Sequence, residues 1–317
     1  MSSTRIYSLA ATIGLVTTAC AQSQPAATPP LTRSAQSRHL PPPRRAIQGT
    51  LYVTNIISDS ENQLFGYSLR TLQQTYFTDD PALKEPEGLA SDPNGAIYVA
   101  NTYGYNILKF VPPATKPAMK IKDTGFRPSD VAIDSKGNIW VANWCTESNC
   151  GPGNLQEYSK RGKLLHTIDC SNMRNPVYLA IDRDDDVVVD GGAFQPPDGA
   201  AEIAKGRTGC APLPAIQIGA PGGVTFTKNG DVTVTDDLYD ITYTYAKPEF
   251  STLTNTTRLS GIASANETAF APENDYFWVD SGSSTGVYEF SYPAGGYPIN
   301  YVYGSLYFPT GIAIVPK

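Results

Sequence analysis

Histidine is nearly absent from this chain. Two occur in 317 residues, His39 in a proline-rich stretch and His166 in a segment that reads as an outermost strand. Imidazole is the usual general base near neutral pH, so this scarcity counts against lyase or lactonase chemistry run by a histidine. A Gly-x-Ser-x-Gly elbow and a phosphate-cradling glycine loop ending in lysine are missing too, which leaves a nucleophilic triad and a nucleotide site without support. Basic clusters are lacking: Arg44-Arg45 stands alone, and the formal charge is −6. Neither nucleic acid nor an anionic membrane surface is an expected partner. The one long apolar run, residues 6–16, is too short to span a bilayer. Beyond it there is no helical periodicity.

That run belongs to an export leader, residues 1–21, with Arg5 as its positive start. Two processing readings stay open. Ala19 and Ala21 fit cleavage after Ala21, whereas Ala19-Cys20 resembles a lipobox that would make Cys20 a lipidated N-terminus. Both export the protein from a bacterial cytoplasm, to the periplasm, the exterior or a lipid-anchored place on the envelope. Membrane contact is expected only through that lipid. Residues 22–46, with QPAATPP and HLPPPRR, form a Pro-rich linker favouring extended polyproline conformation. Residues 47–317 hold the folded part, and a monomer is expected. Cys145, Cys150, Cys170 and Cys210 remain, an even count that suggests disulfides in an exported chain. Cys145 and Cys150 bracket one loop and are expected to pair. Cys170 and Cys210 fall near opposite ends of neighbouring repeats, which argues against a bridge between them. A zinc site on all four is disfavoured by their spacing.

What the chain has in abundance is a repeat. PEGLASDPNGAIYVAN, residues 86–101, reads as two short strands about an Asn-Gly turn. The second strand recurs with ends at Asn55, Asn101, Asn143, Asp190, Asp236 and Asp280, spaced 46, 42, 47, 46 and 44 residues apart. The first strand recurs as PSDVAID, PVYLAID, PGGVTFT, a weaker LSGIASA at Leu259, and FPTGIAIVP at the C-terminus. A period near 45 with strand-forming content predicts an all-β propeller of four-stranded antiparallel blades. The last copy has no hairpin after it and the first has no strand before it. The 37 residues after Asp280 and the nine up to Asn55 together make one more period of 46, so six blades are expected. The C-terminal strand then closes the N-terminal blade. Further strands are expected over residues 106–111, 118–122, 154–159 and 163–168.

The pattern P-x-G-[IVL]-A-x-D-x-x-G-x-[IVL]-[YW]-V-[AT]-[ND] resembles the NHL-repeat and gluconolactonase-like group of six-bladed propellers, which includes relatives like virginiamycin B lyase. The resemblance spans about the whole mature chain and is specific for fold, since the group holds enzymes, binding proteins and interaction platforms. Antiparallel strands bring the start of each first strand beside the end of each second at one mouth. That mouth is expected to be acidic, amide-bearing and aromatic, with almost no basic residue. Its loops supply Tyr103, Tyr105, Trp144, Phe194 and Tyr239. An Asn or Asp at every strand end is explained by bonds to loop amides, a role that serves the repeat. Glu87 is different, because no other copy has a carboxylate after its proline.

Two functions follow. The first is an exported module that binds a protein or a small, sugar-like ligand at the mouth, using Tyr103, Trp144 and Tyr239. The second, implied by the resemblance, is a divalent-metal hydrolase of lactones or esters. Ca²⁺ or another divalent cation would sit on Glu87 with Asp190, Asp236 or Asp280, Glu87 also being the candidate catalytic residue. The resemblance calls for an Asn beginning another blade. Ser129, Val177, Gly222, Ser260 and Thr310 are expected at those positions, and none is Asn. Asp182-Arg183-Asp184-Asp185-Asp186 matches the hairpin turn and lacks the glycine and terminal Glu of a calcium loop. The tyrosines at 288, 292, 297, 301, 303 and 307 are expected mainly to pack between blades.

Overall fold

The computed structural model describes residues 48–123, 127–146, 152–171, 173–193, 197–206, 208–273, 275–302 and 304–316. The leader, the linker, Cys20, Cys150, Phe194 and Tyr303 lie outside them.

Six four-stranded antiparallel sheets form the blades of a propeller. Blade one holds β1 (Gly49–Ile56), β2 (Asn62–Ser68) and β3 (Gln74–Thr78). Blade two is β4 (Pro86–Ser91), β5 (Ile97–Asn101), β6 (Asn106–Phe110) and β7 (Met119–Lys122). Blade three is β8 (Arg127–Ile133), β9 (Ile139–Cys145), β10 (Asn154–Tyr158) and β11 (Leu164–Ile168). Blade four is β12 (Met173–Ile181), β13 (Val187–Ala193), β14 (Asp198–Ile203) and β15 (Ala211–Ile218). Blade five is β16 (Pro221–Phe226), β17 (Val232–Asp236), β18 (Ile241–Tyr245) and β19 (Leu253–Arg258). Blade six is β20 (Ala265–Phe270), β21 (Tyr276–Ser281), β22 (Gly286–Ser291) and β23 (Asn300–Val302). The final strand, β24 (Phe308–Pro316), pairs with β1 and becomes the inner strand of blade one, as the incomplete repeats at the two ends require.

The second strands are buried on both faces. Ile97, Val99, Val141, Val188, Val234 and Val279 are all inaccessible to solvent, because each sheet is packed between two others. Burying such a side chain contributes about 1.5–3 kcal/mol. Three of the turns between first and second strands share one device. Asp92 Oδ1 accepts the amides of Asn94 and Ala96 at 2.9 and 3.0 Å, and Gly95 adopts φ +82°. Asp134 and Asp182 repeat the pattern, so residues 182–186 form a hairpin turn as expected.

One inner strand lies further along the chain than its repeat predicts. The apolar spacing of LSGIASA imitates an inner strand, but Leu259–Ser264 belongs to the crossing between blades, where Gly261 has φ +85°. The inner strand is β20, whose Thr268 pairs with Val279, and it begins on Ala265 without the proline of the other copies. The position assigned to Ser260 therefore belongs to Asn266.

Cys170 and Cys210 are bonded, with Cα atoms 5.3 Å apart, contrary to the expectation from flat ladders. Strand twist accumulates outward across each blade, so the base of one outer strand leans onto the top of its neighbour's. The same lap is seen elsewhere without sulfur. Tyr76 and Thr78 donate to Ala114 and Thr115 carbonyls at 2.9 and 2.6 Å, and Thr257 donates to the Pro293 carbonyl at 3.0 Å. Cys145 is also disulfide-bonded, while Cys150 is outside the described residues.

Candidate functional site

Every inner strand breaks register with its neighbour near its start: between Pro86 and Leu89, Pro128 and Asp130, Pro176 and Leu179, Gly222 and Val224, Ala265 and Thr268, and opposite Thr54 and Asn55. Such bulges re-aim the side chains beside them. Here they bring Glu87, Asp130, Tyr178 and Glu267 to the central channel.

Glu87 is half-buried beneath the mouth and hydrogen-bonds Thr102. Burial pushes its carboxyl up to about 8, with Glu85 and Asp130 adding to the shift and Thr102 and Arg127 opposing it. The neighbouring positions are spent on joining blades. Thr310 donates to the Pro86 carbonyl at 2.6 Å, and Ser129 to the Val177 carbonyl at 2.8 Å.

Asp130 and Glu267 stand one position further along their strands than Glu87 does on β4. Asp130 Oδ2 accepts the Leu179 amide at 2.8 Å, and its Oδ1 lies so near Gly88 that a Cβ there would meet it at 2.2 Å. Glu267 accepts the amides of Ile312, at 2.7 Å, and Leu89, so one carboxyl ties blade six to blades one and two. Burial raises both acids, Asp130 to about 8 and Glu267 well above the ordinary range, with Asp130 adding to the latter. Tyr178 lies in the field of Asp280, Glu87, Glu267 and Asp190, and burial carries its phenol well above 10. Neither Asp130 nor Glu267 was singled out by sequence. Both stand where three of the six copies have glycine (Gly88, Gly223 and Gly311), a departure visible in PSDVAID and, for Glu267, only once β20 is in register.

The strand-end ring holds the crossing loops. Asn55 accepts the amides of Tyr307 and Phe308 at 2.8 and 3.0 Å, and Asn101 accepts that of Lys84 at 2.6 Å. Asp190 accepts the Tyr178 amide at 3.1 Å, and Asp236 accepts the Gly219 amide at 2.7 Å. Asp280 takes the Asn266 amide group at 3.3 Å. Burial raises Asp190 well above the ordinary range and Asp280 to about 8. Among the described residues no three His, Cys, Asp or Glu side chains group closely enough to hold a metal ion. Asp190 Oδ2 and Asp280 Oδ1 are buried without a hydrogen-bond partner, yet these acids are not gathered with a third such ligand among the described residues, so the donors do not fit a divalent cation as they stand.

Tyr103 and Trp144 do come together, on a residue that sequence reading passed over. Arg127, at the start of β8, is buried with its guanidinium 5.1 Å from the Tyr103 ring and 5.8 Å from the Trp144 ring. One cation, Arg127, thus stands against two of the aromatic side chains expected at the mouth. Tyr239 stands apart, exposed with Leu238 after β17. Of the C-terminal tyrosines, Tyr292 packs edge-on to Phe270 and Phe277, while Tyr297, Tyr301 and Tyr307 are exposed, so interblade packing explains only part of that set.

No family model matches the chain, and no curated relative does. Solved structures share the fold. A chain of a nidogen/laminin complex aligns with TM-score 0.68 and 13% identity, over 84% of this chain and 98% of that one. A protein of unknown function from Bacteroides caccae aligns with TM-score 0.63 and 13% identity, over 85% and 100%. Streptogramin B lyase aligns with TM-score 0.52 and 10% identity, over 83% and 76%. Such identities establish a shared propeller and no shared chemistry. No helix among the described residues is long and apolar enough to cross a membrane. The Cys170–Cys210 bond is of the kind that persists in oxidising, non-cytoplasmic surroundings.

Proposed function

We propose that this is an exported propeller that captures a protein partner at its mouth. The observation that carries the reading is Arg127 clasped between Tyr103 and Trp144, the three residue types that dominate the energetic centres of protein interfaces. Apart from it, loops following the second strand and preceding the last strand expose aromatic surface, with Tyr239 58% and Tyr307 63% accessible. Resemblance in fold to a chain solved in a nidogen/laminin complex is consistent with this use. The test is affinity capture from the extracytoplasmic fraction of the source cells, with specifically retained proteins identified by mass spectrometry. Wild type and Glu87→Gln should retain the same partner, and Tyr103→Ala/Trp144→Ala should lose it. Loss with Glu87→Gln and retention by the aromatic variant would overturn the reading.

A second reading, the divalent-metal hydrolase of the resemblance, gains one feature. Asn266 occupies the position after the repeat proline at which the resemblance calls for an Asn, and it bonds Asp280. Against it stands the spacing of the acids, no three of which come together among the described residues. One equivalent of Ca²⁺ or Zn²⁺ should leave the melting temperature unchanged. A rise that disappears in Glu87→Gln would establish the hydrolase reading instead.

A further inference from the structure

We propose that the outer part of blade six is a binding surface for an uncharged polysaccharide, separate from the Arg127 cluster. Residues 281–316 carry one charged side chain, Glu289, in 36 positions, whereas 17% of the whole chain is charged. Glu289 is itself buried and accepts the Asn300 amide group at 2.7 Å. Among the described residues, every exposed large hydrophobic side chain of this stretch is aromatic, with Tyr297 77% and Tyr301 49% accessible. Elsewhere the exposed set includes leucines, at 164, 165, 238 and 253.

The fold gathers these rings with hydroxyl groups. Tyr301 lies directly across the β22–β23 ladder from Tyr288, so the two side chains share a face. Tyr288 packs on the cluster that holds Leu259 and Ile262, in the crossing from blade five, and donates to the Ser284 carbonyl at 2.7 Å. Tyr297 lies on the same crossing, where a Cβ on Gly261 would come within 3.1 Å of its ring. Beside Tyr288 the turn at residues 281–286 reads SGSSTG, and its hydroxyls reach that crossing too. Ser284 Oγ accepts the Ala263 amide at 3.0 Å, and Ser283 donates to Ser264 at 2.9 Å, both at the surface. The charges bordering the crossing are engaged elsewhere: Asp240 accepts the Ala265 amide at 3.2 Å, and Arg258 acts on Tyr243, which packs in the seam of blades four and five.

This chemistry matches a neutral sugar chain. A pyranose has faces of C–H groups, which stack on aromatic rings, and a rim of hydroxyls, which exchange hydrogen bonds with phenols and serines. Tyrosine supplies both partners and loses little rotamer freedom on binding. A charged polymer would give up hydration here without gaining a counter-charge. Tyr297 rests on the crossing and Tyr301 on the outer strand, so a chain of several sugars can engage both.

The experiment is saturation-transfer NMR and calorimetry of the full chain with cellohexaose, laminarihexaose and chitohexaose, using hexagalacturonate as the charged control. At least one neutral hexasaccharide should bind at about millimolar concentration or below, and hexagalacturonate should not. Tyr297→Ala and Tyr301→Ala should each weaken binding by about fivefold or more, with the circular-dichroism spectrum unchanged. Tyr297→Phe, which keeps the ring, should weaken it by less than about twofold. The proposal is overturned if none of the three neutral hexasaccharides binds, if hexagalacturonate binds as tightly, or if both alanine variants keep wild-type affinity. Loss of a captured protein with no saccharide bound, in Tyr297→Ala/Tyr301→Ala, would overturn it in favour of a protein site. Trp144→Ala should leave saccharide binding intact, which separates this surface from capture of a protein partner at Arg127.

Discussion

Glu267 Oε2 accepts the amide of Ile312 at 2.7 Å, across the seam where the last strand of the chain enters the first blade. Ring closure thus rests on more than the β1–β24 ladder, for the same carboxyl also receives the Leu89 amide. Glu267→Gln keeps a side-chain oxygen to accept these amides and should cost less than about 1 kcal/mol. Glu267→Leu leaves two buried N–H groups unmet and should cost about 2–6 kcal/mol, at about 1–3 per group. Urea denaturation of the two variants checks the difference. Equal losses would show that the bonds to Ile312 and Leu89 do not matter to closure.

The buried acids make stability depend on pH in an unusual sense. Burial raises Glu87, Asp130 and Asp280 to about 8 in the folded chain, and raises Asp190 and Glu267 well above the ordinary carboxylate range. The unfolded chain releases these protons near 4. Between about pH 4 and 8 the folded state therefore binds more protons than the unfolded one, and stability falls as pH rises. The melting temperature should be lower at pH 8 than at pH 5 by about 4 °C or more, since about 1 kcal/mol moves the midpoint of a domain this size by about 2 °C. Scanning calorimetry across that interval is the measurement, and a midpoint rising with pH would contradict the environment described for these groups. Asp130→Asn/Glu267→Gln should flatten the profile.

The ring was legible in the sequence because a period near 45 and two complementary half-blades are properties of the chain alone. The channel was less so. Glu87 stood out as the odd member of an aligned position. Glu267 did not, because Ala265-Asn266-Glu267 lacks the proline and glycine that mark other inner strands, while Leu259–Ser264 imitates their apolar spacing. Arg127 precedes the repeat proline and therefore fell outside every comparison between copies. The pairing of Cys170 with Cys210 depends on blade twist, a three-dimensional property with no local signature.

That bridge should matter to stability, since it closes a 40-residue separation between neighbouring blades. Cys170→Ser/Cys210→Ser should lower unfolding free energy by about 2–4 kcal/mol. Peptide mapping without reduction should recover the two cysteines in one linked fragment. Recovery of free thiols at both positions would contradict the bridge.

Arg127 couples the aromatic pair at the mouth to the acid beneath it. Its charge opposes the upward shift of Glu87, and its guanidinium lies against Tyr103 and Trp144. Replacing it by Gln should move the Glu87 titration above about 8, read by carbon NMR of labelled glutamate. Arg127→Lys should hold the titration near the wild-type value, because the charge remains, yet disturb the Trp144 environment, because an ammonium cannot spread across both rings. The two readouts, titration and tryptophan fluorescence, therefore separate charge from stacking. If Gln and Lys moved both readouts alike, Arg127 would be acting only as a spacer between the rings.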